Sequence, residues 1–159
     1  MASTIRRLGL FRELEPRATG APSIHDAVGA GPGGERQRRA TFYLATASHV
    51  VAVMEMLPDV IDGEQVFLSG GYQSDGDWFW RSDLAHYVLK YNLTLPDDFI
   101  THAESFMWSP GVLSGDELLA CSRAIGDHLS AQQGQPRPDD RGSPSGTGGR
   151  IGTSGDQPG

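Results

Sequence analysis

The chain has 159 residues, of which 38% are hydrophobic, with 21 Gly and 10 Pro lying mostly toward the two ends, so one ordinary domain between unstructured flanks accounts for its length. Its single cysteine, Cys121, excludes an internal disulfide or a thiolate metal cluster and favours a reducing compartment, the cytoplasm. The net charge of −7 is unevenly spread: residues 1–40 carry seven arginines against four acids, whereas residues 55–104 carry ten acids against Arg81 and Lys90. Such an acidic centre repels phosphate backbones and matches a basic partner better than a nucleic acid, although the N-terminal arginines could touch nucleic acid weakly.

In residues 1–17 the apolar run is broken by Arg12, Glu13 and Glu15, so a signal-peptide core is missing. The longest apolar stretch, 50–54, is far too short to span a bilayer. Residues 1–21 therefore read as a flexible arm, 22–130 as a single α+β domain, and 131–159, rich in Gln, Pro, Gly, Ser and Asp, as a disordered tail.

Within the domain, Ser23 and Asp26 have the spacing of a capping box for one short helical turn, which Gly29 stops. After a Gly-rich joint over 29–34, Ala40, Tyr43, Leu44 and Ala47 repeat at helical spacing, predicting a helix over 35–47. The Gly-rich joint lacks a preceding strand and a Gly-Lys-Ser/Thr ending, so it reads as a linker and not a phosphate loop. The valine-rich stretch 49–54 reads as a buried strand, and 65–73 as a second strand in which Gly70 and Gly71 mark a bulge or close backbone approach. Asp75 and Gly76 supply a type I′ turn into a third strand around Trp78, Phe79, Trp80 and Arg81. The expected fold is thus a three-stranded antiparallel meander packed with helices.

Ser82 then caps a helix with Leu84, Tyr87, Val88 and Tyr91 on one face, and Asn92 supplies a left-handed stop. Thr94, Pro96, Asp97 and Asp98 form a second helix start, with Phe99, Ala103, Phe106 and Met107 on its buried side. Ser114 and Glu117 form a capping box for a last helix carrying Leu118, Cys121, Ile125 and Leu129 on one face.

The chemistry-bearing residues give two readings each. Trp78 and Trp80 alternate with Phe79, so one face anchors a partner, ringed by Asp75, Asp77, Arg81 and Asp83, or a helix packs over the tryptophans. Asp75, Asp77 and Asp83 lack the spacing of a calcium loop, and turn or cap roles account for Asp75 and Asp83. His86 and His102 have no second histidine at helical spacing; Asp83 and Lys90 beside His86, and Asp98 beside His102, suggest solvated polar faces. Cys121 sits on an apolar helix face as a small hydrophobe. No cofactor, metal site or catalytic constellation is expected.

The succession Ser74-Asp-Gly-Asp-Trp-Phe-Trp80, Asp83-Leu-Ala-His-Tyr-Val88 and Leu95-Pro-Asp-Asp-Phe99 resembles small, mostly uncharacterised bacterial proteins, some of them similar to immunity proteins of polymorphic toxin systems. It covers about a sixth of the chain and carries over no functional residue. The functional expectation is a non-enzymatic intracellular protein-binding domain, immunity-like, that docks a basic protein through Asp75, Asp77, Trp78, Trp80, Arg81 and Asp83. The alternatives are a small enzyme using Asp75, Asp77, His86 or His102 in a pocket, and a regulatory accessory protein acting through its arm and tail. The sequence leaves the oligomeric state open.

Overall fold

The computed structural model describes residues 5–15, 17, 18 and 20–133. Elements follow in the order β1 (Arg6–Arg7), a 3-10 turn (Ile24–Asp26), α1 (Gly34–Thr46), β2 (Ser48–Val51), β3 (Met54–Pro58), β4 (Gln65–Ser69), β5 (Tyr72–Ser74), β6 (Trp78–Arg81), α2 (Leu84–Tyr91), α3 (Asp97–Ser105) and α4 (Gly115–Gln133). Among the described residues this is an α+β fold with four α-helices and a four-stranded mixed sheet in the order β1-β6-β5-β2, beside a two-stranded sheet of β3 and β4. No helix among the described residues is long and apolar enough to cross a membrane.

The three-stranded meander is corrected in two ways. The two expected strands 49–54 and 65–73 form one long ribbon that breaks in the middle, giving β2 and β3 on one side and β4 and β5 on the other. The break lies at Gly70 and Gly71: a Cβ on Gly71 would sit 1.7 Å from the Val51 carbonyl oxygen, so only glycine lets the two sides approach this closely. The second correction is β1, which pairs in parallel with β6, Arg6 opposite Trp78 and Arg7 opposite Phe79.

The N-terminal residues are consequently not a flexible arm within the described range. Ile5, Leu8, Phe11 and Leu14 are all buried, which anchors the segment by the same apolar burial that holds the domain. Polar contacts reinforce it, since the Arg7 guanidinium pairs with Glu15 at 2.8 Å and Tyr72 donates its hydroxyl to the same carboxylate at 3.0 Å. At the other end, α4 continues to Gln133, three residues into the expected tail; residues 134–159 lie outside the described residues.

The central strand β6 explains how this short sheet builds a core. Trp78 and Trp80 face α1, α2 and α3 in a cluster with Tyr43, Leu84, Tyr87 and Phe99, whereas Phe79 faces α4 with Ile5, Cys121 and Ile125. Both faces of β6 are therefore dry, and helices cover the sheet on either side. Cys121 packs as the small hydrophobe expected.

Local signals govern the helix ends. Ser114 and Glu117 make the reciprocal capping box, the Glu117 amide donating to Ser114 Oγ at 3.2 Å and the Ser114 amide to Glu117 Oε2 at 2.7 Å. Asn92 adopts φ 49°, ψ 49°, the left-handed stop after α2. The residue that precedes α2 is Asp83, not Ser82, and its carboxylate pairs with Arg81 instead of capping. Helix α3 stops at Ser105, because Met107 and Trp108 both turn to positive φ; Phe106 and Met107 thereby leave the buried face assigned to them and are exposed. In the β5–β6 turn only Gly76 has positive φ, so the turn is not type I′, which needs it at two consecutive positions.

Candidate functional site

Three of the ten acids in residues 55–104, Asp59, Asp75 and Asp83, turn inward. Asp59, fully buried at the end of β3, accepts the Ile61 amide at 2.9 Å and the Asp62 amide at 3.3 Å on Oδ1. On Oδ2 it holds His86 Nε2 at 2.8 Å, the Tyr91 hydroxyl at 2.9 Å and Lys90 Nζ at 3.3 Å. Lys90 also pairs with Asp62 and stands 3.7 Å from Glu64. Burial pushes the Asp59 carboxyl up, but these donors outweigh it and hold the group well below the usual carboxylate range.

Asp75, in the β5–β6 turn, repeats the arrangement. Its Oδ1 accepts the Asp77 amide at 3.0 Å and the Trp78 amide at 2.8 Å, and its Oδ2 holds His102 Nε2 at 2.8 Å and the Tyr43 hydroxyl at 2.6 Å. Burial, the bond to Asp75 and the charges of Asp75 and Asp77 together raise Tyr43, which keeps its phenol protonated and donating. His86 and His102 are thus tied to turns on the sheet side of their helices and are not the solvated polar faces expected from Asp83, Lys90 and Asp98.

The expected contact surface is corrected by burial. Trp80 is inaccessible and Trp78 nearly so; the Trp80 indole donates to the Leu44 carbonyl at 3.2 Å, and both rings meet Phe99 edge-on. Arg81 donates to Asp83 at 3.0 and 3.1 Å and to the Leu14 carbonyl, making an internal clamp with Glu15 that seats the N-terminal segment. Burial raises the Asp83 carboxyl against the pull of Arg81. Asp75 is enclosed, and of the six residues only Asp77 shows most of its side chain, 66%, to solvent.

A concave feature lies elsewhere. A cleft of about 520 Å³ opens between the N-terminal segment, the 3-10 turn and the 93–97 connection. Its base is apolar, with the buried Phe11, Leu84 and Leu93, and Leu10 and Leu95 extend it outward. Asp26 and Asp97 are the ionisable groups that line it; both are exposed, and neither enters an ion pair among the described residues. Gly9, at φ +72°, shapes the wall by letting the backbone pass within contact of Leu84.

No known protein family, curated protein or solved structure matches this chain.

None of Asp75, Asp77, His86 and His102 lines the cleft, and His86 is held at a different aspartate from His102. Sequence reading missed the cleft because its walls come from segments far apart in the chain, residues 9–27 and 93–97. The one local trace of it was the helix start at Pro96 and Asp97, which places a carboxylate at the rim.

Proposed function

We propose that this chain is a non-enzymatic binding domain whose cleft takes a basic, amphipathic segment of a protein partner. The observation that carries the reading is the lining itself: an apolar base large enough for two or three side chains, two carboxylates at the rim, and no cation among the described residues that line it. An extended or helical segment would insert leucine- or phenylalanine-like side chains over Phe11 and Leu93 and place Lys or Arg against Asp26 and Asp97. The basic partner expected from the sequence is retained, but the contact moves from the tryptophan strand to this cleft. A single cysteine, buried against the sheet, suits a reducing cytoplasm. The immunity-like reading is the case in which the basic partner is a toxin.

Fluorescence anisotropy with a labelled Leu–Lys peptide, and with a Leu–Glu peptide of the same length, tests this. The Leu–Lys peptide should bind and weaken with salt, and D26N and D97N should each weaken it by about two- to fivefold. The exposed Glu55→Gln control should leave it unchanged. Equal binding of the acidic peptide, or indifference to both cleft substitutions, rejects the reading.

A further inference from the structure

We infer that Asp75, Asp77 and His102 form a binding site for a divalent transition-metal ion of the zinc class. One ligand atom from each of the three lies within 4.8 Å of the other two. His102 Nε2 stands 2.8 Å from Asp75 Oδ2 and 3.9 Å from Asp77 Oδ2, which brackets the separation of about 3.3 Å between ligands on a tetrahedral ion with bonds of about 2.0–2.1 Å. Sub-ångström adjustments of His102 and of the exposed Asp77 side chain would equalise the two.

The two aspartate centres are built alike and differ in their charge balance. Each has a turn aspartate fixed by two backbone amides, a histidine Nε2 and a tyrosine hydroxyl. At Asp59 the nearby carboxylates of Asp62 and Glu64 are balanced by the Lys90 ammonium, which lies within ion-pair reach of all three acids. At Asp75 the second carboxylate, Asp77, has no Lys or Arg within that reach among the described residues; its ion-pair neighbour is His102. The same scaffold thus concentrates negative charge without a fixed side-chain cation, and does so where an imidazole nitrogen faces two carboxylate oxygens. An N,O,O set selects zinc-class ions over Mg²⁺ or Ca²⁺, which prefer all-oxygen shells.

The remaining geometry suits ligation. The Asp75 carboxylate is oriented by its own turn, and Tyr43, donating to it at 2.6 Å, serves as the outer partner that holds a ligating carboxylate in place. The ion takes the lone pair of Nε2 with the ring proton on Nδ1, and Asp77, largely exposed, gives access from solvent and leaves room for a water as fourth ligand.

Isothermal titration of the full chain with Zn²⁺, and Co²⁺ titration followed by visible absorption, test the site. One equivalent should bind, and D77N should weaken it at least about tenfold, since loss of a ligand costs no less than loss of an outer partner. Because Asp77 is exposed, D77N leaves the core intact, and its circular dichroism should match the parent. H102Q should abolish the Co²⁺ band, whereas the exposed His49→Gln should not. Failure to bind tighter than about 1 mM, or affinity unchanged in D77N, overturns the assignment.

Discussion

Asp59 and Asp75 occupy equivalent places in two successive hairpin turns, and each carries on its Oδ2 the Nε2 of a histidine 27 residues further along the chain. The paths differ: from Asp59 the chain runs through β4, β5 and β6 to α2, and from Asp75 through β6 and α2 to α3. These two bonds fasten the turns to α2 and α3.

Removing Asp59 should therefore be costly. D59A leaves two turn amides and the Tyr91 hydroxyl short of an acceptor and strips Lys90 of a partner. A loss on the order of 3 kcal/mol is expected from urea denaturation. K90M removes one donor from the rim of the same centre and should cost less; an equal or larger loss would contradict the assignment of Asp59 as the hub.

Acid should act through the carboxylates held low. Glu13 is raised by burial but more strongly lowered by the Ser23 hydroxyl and the Ile24 amide, to about 2 against an ordinary 4.5, and Asp59 is lowered as well. A depressed folded pKa gives stability that is full above the unfolded value and is lost as pH falls through the folded one. Stability should thus decline from about pH 4.5 toward about pH 2, and E13Q should flatten part of that decline. Asp83 acts in the opposite sense, since its raised pKa favours the folded state as pH falls. Thermal melts across this range check the slope.

The N-terminal segment is integral to the core. Leu8 is 2% exposed, and Leu8→Ala should cost about 3 kcal/mol in a chemical melt. An effect below about 0.5 kcal/mol, the range of surface changes, would restore the flexible arm.

Gly71 should tolerate no side chain. A Cβ there meets the Val51 carbonyl at 1.7 Å, so G71A must part β2 from β5 and should cost about 3 kcal/mol or more. G111A, where the added atom meets open space, is the control, and equal melting temperatures for the two variants would refute the close approach.

What the sequence revealed was local. The capping box at Ser114, the left-handed Asn92, the apolar face of α1 and the break at Gly70–Gly71 each depend on neighbours a few residues away, and each stands where expected. The misreadings concern distant partners. Two arginines carry no strand signal, so β1 is intelligible only beside Trp78 and Phe79. No spacing rule told which central acids find cations: Asp98, Glu104, Asp83 and Asp62 pair with Arg6, Arg36, Arg81 and Lys90, two of these from the N-terminal part. His102 is drawn from its helical neighbour Asp98 to Asp75, a choice that hydrophobic packing of α3 on Tyr43 and Trp78 makes and no spacing rule contains.

The parallel pairing of β1 with β6 imposes an order on synthesis. Ile5, Arg6 and Arg7 leave the ribosome before the edge that receives them, which is made some 70 residues later, at about 5–20 residues per second a delay of roughly 4–14 s. During that interval the apolar Ile5, Leu8, Phe11 and Leu14 have no sheet to join. The nascent chain thus emerges with part of its own closing seam exposed, and chaperone contact in vivo should concentrate on residues 5–15.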